Sequence, residues 1–321
     1  MSKTKSIAIF FLNITLIILI SSVIYLSYSL FIYKVPVDKT LYFPAGTSTI
    51  RFASQLEADA VIHNKYAFTL AAKLLELRGS YLIGGEYNFS PGLNTYEVLT
   101  KITRGQRVIR KITIPEGVTI MVAIDIINNA PGLLGRIDEQ LFECNILPET
   151  YYYYYGDTKD FLVKRMKATL SKLVSDLESN STVSVSTSDI LTIASIVEKE
   201  TRLDQEKPIV AGVYFNRLKI GMPLQADPTI IYKMSNGRGI IDRELTRADL
   251  KVDSDYNTYT RKTLPPASIA CPGKASILAS FSPAEHQYLY FVADERGGHI
   301  FAQTLPEHNK NNQMRKLLKK K

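Results

Sequence analysis

Residues 188–232 read SDILTIASIVEKETRLDQEKPIVAGVYFNRLKIGMPLQADPTIIY, and this stretch decides how the larger part of the chain is understood. Ser188 can cap a helix in which Ile190, Leu191, Ile193, Ala194, Ile196 and Val197 recur at helical spacing and form a broad apolar face. Two glutamates arrive at the helix end. At 100° per residue Glu200 falls between Ile193 and Ile196, while Glu198 falls between Leu191 and Ala194, so both edge the buried face. Helical geometry does not separate them. A carboxyl group held against apolar side chains has its charged form disfavoured, which raises its pKa and lets it act as a general acid near neutral pH. The alternative for a sequence such as EKE is a solvated, salt-bridged helix end.

Upstream of this helix lies a serine-rich loop, SNSTVSVSTSD, and before it five consecutive tyrosines at 151–155. The tyrosine run reads as a half-buried strand, although aromatic rings can also stack on sugar faces. Earlier still, VIRKITIPEG has strand character and leads into a helix, VTIMVAIDIINNA. A boundary near residue 107 separates these elements from a smaller unit.

That smaller unit begins after Val35-Pro36-Val37 with a short strand, LYFP, and a helical pattern over residues 49–62. Asn64 can cap a second helix, YAFTLAAKLLELR, which Gly79 ends, and YLIGGEYNF reads as a strand before a Ser90-Pro91-Gly92 turn. Asn94 with Glu97 three residues on has the form of a capping box for YEVLTKITRG.

From Ser6 to Tyr33 no residue is charged, a run longer than the roughly 20 apolar residues that cross a bilayer. Cleaved signal peptides have apolar regions of about 7–15 residues and a small-residue cleavage site. No alanine occurs between Ala8 and Ala45, so an uncleaved anchor is expected. Lys3 and Lys5 precede the run and place the N-terminus inside and the remainder outside.

Composition sets looser bounds. The 321 residues, 45% of them hydrophobic, suffice for about two domains with their own cores. A net charge of +8 favours a polyanionic neighbour, whether nucleic acid, anionic lipid or an acidic wall polymer. Much of it sits in the tail, at Lys310, Arg315, Lys316 and Lys319 to Lys321, where it reads as a solvated terminus. Cys144 and Cys271 have no C-x-x-C or Cys/His spacing that would suggest a metal, and spacing leaves open whether they pair.

The segment ASIVEKET, followed in order by NRL, GMPLQADPT, YNTY, LPP, PG and FVADERGGHIF, closely resembles the catalytic domain of the YceG-like, or MltG, endolytic murein transglycosylases. The resemblance covers about Ile190 to Asn309, and the anchor and module order agree over the whole chain. It implies an α+β fold with a single N-terminal transmembrane helix. The expected domains are a cytoplasmic N-terminus (1–5), an anchor (6–33), a small LysM-like module (34–106) and a mixed α+β catalytic domain (107–321). The opening PAGTSTIRFASQL and the order of strand, two helices and strand underlie the likeness to LysM, a fold that commonly engages peptidoglycan.

The same resemblance assigns the catalytic role to the second glutamate, Glu200, followed by Thr201. It implies non-hydrolytic cleavage of the β-1,4 bond between N-acetylmuramic acid and N-acetylglucosamine, leaving a 1,6-anhydromuramyl end. Asn216, Arg217, Gln225, Asp227, Thr229, Tyr256, Asn257, Tyr259 and His299 lie in the matching motifs and are expected to contact the saccharide. No metal and no cofactor is expected; His299 and His308 show no short metal-ligand spacing. The implied partners are peptidoglycan glycan strands, the cytoplasmic membrane and peptidoglycan synthases, not nucleic acid. Two other readings remain: a non-catalytic wall-binding scaffold, and a muramidase pairing Glu200 with Glu198 or Asp227. The chain departs from the family pattern at Ala267-Ser268-Ile269, at Cys271 and at Leu147-Pro148-Glu149-Thr150-Tyr151.

Overall fold

The computed structural model describes residues 3–294 and 296–318. It divides into two compact units, Met1–Arg110 with Tyr153–Gly156 and Lys111–Tyr152 with Asp157–Lys321.

The first unit opens with α1 (Lys3–Ser27), which passes into a π-helical turn at Tyr28–Ile32. The apolar run Ile7–Ile32 is 26 residues long. At about 1.5 Å per residue it outspans a hydrocarbon core of about 30 Å. Among the described residues this is the one helix long and apolar enough to cross a membrane. Beyond it, β1 (Lys39–Phe43), α2 (Thr49–Ala58), α3 (Lys65–Glu76), β2 (Gly85–Phe89) and α4 (Thr95–Thr103) follow in chain order. β1 and β2 pair antiparallel, from Lys39 opposite Phe89 to Phe43 opposite Gly85. One face of the pair meets the helices through Phe43, Tyr87 and Phe89, which share a core with Phe52, Leu56, Phe68, Leu99 and Ile102. Each large apolar side chain so buried contributes about 1.5–3 kcal/mol.

Local signals explain most of these boundaries. The Asn64 side chain accepts from Tyr66 N and Ala67 N, both at 2.9 Å, at the start of α3. Asn94 and Glu97 form the reciprocal capping box of α4. The helix expected to run to residue 62 ends instead at Ala58, because Ala60 adopts a left-handed φ of 56° and Val61 and Ile62 turn inward to complete burial. The strand expected from Tyr81 starts only at Gly85, where the pairing with Phe43 begins.

The strands β3 (Ile109–Thr113) and β4 (Thr150–Tyr154) each continue from the residues of one unit into those of the other, and in the second unit the Ile114 amide donates to Glu149 O at 3.0 Å. The tyrosine strand alternates as expected: Tyr151 and Tyr153 are buried and Tyr152 is exposed. Between the strands lies α5 (Ile120–Asn128), and after them come α6 (Lys159–Glu178), α7 (Thr187–Glu200), α8 (Lys207–Lys219), α9 (Asp227–Met234) and α10 (Lys274–Phe281). A hairpin of β5 (Tyr290–Ala293) and β6 (His299–Ala302), paired antiparallel, and a last helix, α11 (Leu305–Leu318), complete the unit.

The helix α7 is its axis. Ser186, not Ser188, is the cap, and its Oγ accepts from Asp189 N at 3.1 Å while Ser188 already lies in the first turn. Ile193, Ile196 and Val197 pack against Val210, Ala211, Tyr214, Leu224 and Ile269. Ile190 and Ala194, on the adjoining sector of the same face, pack with Leu147, Leu170, Ile277 and Phe281. A helix buried against two clusters leaves few directions for a polar side chain, so the residues at its C-terminal end carry the polar chemistry. Close approach of α8 to the segment before β5 requires Gly212, where an added Cβ would lie 2.5 Å from Ala284 O. Cys144 and Cys271 are both buried free thiols.

Candidate active site

Glu200 is the last residue of α7, and Thr201 already has extended backbone. The partial negative charge of a helix C-terminus opposes ionisation there. Tyr214, on the next helix, donates its hydroxyl to Glu200 Oε1 at 2.9 Å. Burial is the dominant influence and pushes the carboxyl pKa up to about 7; the Tyr214 hydrogen bond works against this, Asp227 adds to it, and the Arg217 guanidinium offsets part of it. Burial also raises the Tyr214 hydroxyl well above its ordinary value, so this group stays protonated and can only donate to a charged Glu200.

Glu198 is held differently. Its Oε2 accepts from Ser276 Oγ at 2.6 Å and Gly273 N at 3.0 Å, and lies 3.5 Å from Nζ of the buried Lys207. Lys207 in turn pairs with Asp204 at 2.9 Å. Glu198 therefore ties α7 to the start of α10, while the Glu200 carboxyl opens on a cleft. Helical spacing alone left the two equivalent; tertiary contacts distinguish them.

That cleft has a volume of about 310 Å³, and Glu200, Arg217, Gln225, Asp227 and Tyr259 all line it. Arg217, in the last turn of α8, is fixed by donation from Nε to Leu289 O and from Nη1 to Leu224 O, each at 2.6 Å. Asp227 opens α9 and accepts from the Tyr259 hydroxyl. Gln225, in the turn between those helices, has a φ of 51°. The opposite wall comprises Tyr290 and Phe291 of β5 with Leu305 and His308 of α11. The His308 ring stacks on Tyr290 at 5.3 Å, and its buried Nδ1 has no hydrogen-bond partner.

The other motif residues are engaged outside the cleft. Asn216 donates to His286 O and Tyr288 O, anchoring the strand leading to β5. Thr229 and Asn257 are fully buried; the first bonds Ala226 O and Thr258, the second donates to Leu250 O and Val252 O. The Tyr256 ring packs against Tyr232 at 5.1 Å. His299 Nδ1 lies 2.7 Å from Glu206 Oε2, and the same oxygen accepts from the Thr201 hydroxyl at 3.1 Å. Glu206 thus links the residue after Glu200 to the β5–β6 hairpin, so His299 acts on the position of the helix end through an intermediary.

The arrangement combines a carboxyl group poised near neutrality, a fixed guanidinium and several hydroxyl and amide groups in one recess. A model of the YceG-like family matches residues 41–314. The chain belongs to the YceG-like family. It is 29% identical to the endolytic murein transglycosylase of Bacillus subtilis, over 83% of this chain and 82% of that protein. It is 26% identical to the endolytic murein transglycosylase of Streptococcus pneumoniae serotype 2, over 85% of this chain but only 57% of that longer relative. Among solved structures, the 2.6 Å crystal structure of a YceG-like protein from Listeria monocytogenes superposes with a TM-score of 0.53 at 29% identity, covering 85% of this chain and 98% of that one.

In this YceG-like chain sequence reasoning did not single out the cleft residues Leu224, Tyr290, Phe291, Leu305 and His308, nor Tyr214, the buried partner of Glu200. Tyr214 lies within the helix after Glu200, where an aromatic among apolar residues is indistinguishable from core. Tyr290 shares a strand face with buried Val292 along β5, so its spacing marked it as core. His308 stood out only as a histidine in the C-terminal EHN.

Proposed function

We propose that this protein is a membrane-anchored endolytic lytic transglycosylase of peptidoglycan. The observation that carries the proposal is the partly buried carboxyl of Glu200, with its pKa near 7, opening on a cleft of hydrogen-bonding side chains. Cleavage of a glycosidic bond by one carboxyl group requires it to donate a proton and then to accept one. Protonated Glu200 donates to the leaving glycosidic oxygen, and the muramyl N-acetyl group supports the positive charge developing on the sugar. The resulting carboxylate takes the proton from the C6 hydroxyl as that oxygen closes on the anomeric carbon. The Tyr214 hydroxyl steadies the carboxylate between the steps. Attack from within the same sugar replaces water with an oriented nucleophile, which is where proximity contributes most. The product is a 1,6-anhydromuramyl end. Arg217, Gln225, Asp227 and Tyr259 would orient the strand; Asn216, Thr229, Tyr256, Asn257 and His299 would support the cleft walls.

On this reading residues 6–33 anchor the chain with its N-terminus inside, residues 34–106 form a LysM-like glycan-binding module, and residues 107–321 are catalytic. The enzyme would cut nascent strands next to the synthases that extend them and so limit their length. The strand, helix, helix, strand order of the first unit supports the module assignment.

Asp227 in the same cleft favours one rival, a two-carboxylate muramidase. Mass spectrometry of glycan incubated with the full chain separates the readings. Anhydro ends that disappear in Glu200→Gln support the transglycosylase. Reducing muramic acid ends support the muramidase, no new ends a binding scaffold, and anhydro ends persisting in Glu200→Gln reject the assignment of the acid.

A further inference from the structure

A second recess, about 400 Å³ in volume, lies in the same unit and is lined by Met121, Phe142, Glu143, Tyr232, Lys233 and Tyr256 among others. None of the residues proposed for proton transfer or strand orientation lines it. Glu143 Oε2 accepts from Ile120 N at 2.9 Å and Oε1 accepts from the Tyr232 hydroxyl at 3.1 Å. No cation among the described residues forms an ion pair with it. A partly buried carboxyl group with only two neutral donors has unmet capacity, since a carboxylate offers about four acceptor sites. Burial accordingly pushes its pKa up to about 7, the response of a charge without a counter-ion.

The surroundings of Glu143 suit a cation. The rings of Tyr232, Tyr256 and Phe142 and the Met121 thioether line the recess, and aromatic faces attract ammonium groups. Exposed Lys233 stands in the same recess and suits an anion. The helix α9 connects the two recesses: Asp227, its first residue, lines the Glu200 cleft, and Tyr232 and Lys233 in its last turn line this one. Their separation along the helix axis is about 9 Å at 1.5 Å per residue, the scale of one sugar with its substituent.

We infer that this recess binds a peptide carrying both an ammonium group and a carboxylate, the ammonium on Glu143 within the aromatic wall and the carboxylate on Lys233. This inference rests on the reading of the substrate as peptidoglycan, whose glycan carries short peptides of this charge pattern; the second recess would thereby select strands that bear uncrosslinked, free-amine peptides.

The test is calorimetric titration of the full chain in detergent with N-acetyl-L-alanyl-γ-D-glutamyl-L-lysine, whose one ammonium is on the lysine side chain, and with its Nε-acetylated form. The free-amine peptide is expected to bind, about tenfold more weakly after Nε-acetylation or in Glu143→Gln, as befits loss of a charged hydrogen bond. Phe142→Ala, at an exposed ring, should weaken binding severalfold without disturbing the fold, and Glu200→Gln should leave it unchanged. Equal binding of the two peptides, or none, overturns the inference, and the acetylation comparison needs no variant to fold. Cleavage of peptide-bearing glycan strands is measured alongside. If that cleavage persists while the peptides fail to bind, the second recess alone has been misread; if peptides bind but no glycan is cut, the enzymatic reading fails instead.

Discussion

The Tyr214 hydroxyl reaches Glu200 Oε1 at 2.9 Å, from the middle of α8 to the last residue of α7. This contact opposes the burial of the carboxyl group: without it the pKa of Glu200 would stand above about 7. Tyr214→Phe removes the donor and keeps the ring that packs edge-on against Phe291. Loss of one such hydrogen bond costs about 1 kcal/mol of stability. As the acid step needs protonated Glu200, activity falls as pH rises through its pKa. The expected result is a lower maximal rate with the alkaline limb displaced to higher pH, measured as the pH profile of anhydro-end formation. An unmoved limb would show that Tyr214 only fills space.

The same carboxyl makes stability depend on pH. Its pKa rises from an ordinary 4.5 to about 7 on folding, so between those values the native chain keeps a proton that the unfolded chain releases. Stability attributable to Glu200 is therefore complete below about pH 4.5 and declines as pH rises to about 7. Glu200→Gln carries no such penalty. At pH 8 it should be more stable than the parent by up to about 3 kcal/mol, the gap closing toward pH 4.5. Thermal melts of both proteins at several pH values check this, with Glu143 titrating alike in each.

Glu198→Gln should behave in the opposite sense. It keeps an acceptor for Gly273 N and Ser276 but leaves the buried Lys207 with only Asp204. Weakening a partly compensated buried pair should cost about 2 kcal/mol, below the 3–5 kcal/mol of an isolated one. Melting should fall while product per folded molecule is retained. Abolished turnover with an unchanged melting temperature would exchange the roles of the two glutamates.

The difference between these glutamates also marks what sequence could and could not disclose. Asn64, Asn94 and Glu97 act on amides two or three residues away, so their capping roles are visible locally. The anchor is equally legible, because apolar length is a one-dimensional property. Glu200 and Glu198 both edge the apolar face of α7, and only tertiary contacts, with Gly273, Ser276 and Lys207 at Glu198 and with Tyr214 at Glu200, distinguish their surroundings. Arg217, Gln225, Asp227 and Tyr259 were found through motif resemblance rather than spacing. Asn257 and Thr229 share those motifs yet point inward, since a polar side chain that satisfies buried backbone carries the same letter as one that meets a ligand.

His308 was passed over for the same reason, and its buried Nδ1 has no partner. An unsatisfied buried polar atom costs about 1–3 kcal/mol unless something completes it. The His308 ring lines the cleft, so a turn of the ring on strand binding would present Nδ1 to a hydroxyl or amide of that strand. His308→Ala should lower the rate of end formation while raising or leaving unchanged the melting temperature. His308→Asn, which restores a polar atom near the Nδ1 position, should recover part of the activity. A variant that loses stability and activity together would place His308 in packing against Tyr290 alone.

Gln225 supplies the remaining prediction. Its φ of 51° lies in the left-handed region, where a residue with a Cβ carries about 1–3 kcal/mol of strain. The conformation is held by Gln225 N donating to Thr258 O at 2.9 Å and by Ala226 N donating to Thr258 Oγ1 at 3.0 Å. Glycine adopts this geometry freely, so Gln225→Gly retains both backbone bonds and relieves the strain, although it also loosens the unfolded chain. Net stability should rise by up to about 1 kcal/mol. If the side chain is kept there to meet the strand, the stabilised variant should show weaker substrate binding, seen as a higher KM for glycan with a smaller change in kcat. Full activity in Gln225→Gly would remove Gln225 from the set of residues that orient the strand, and would leave its strained backbone as a consequence of the turn between α8 and α9.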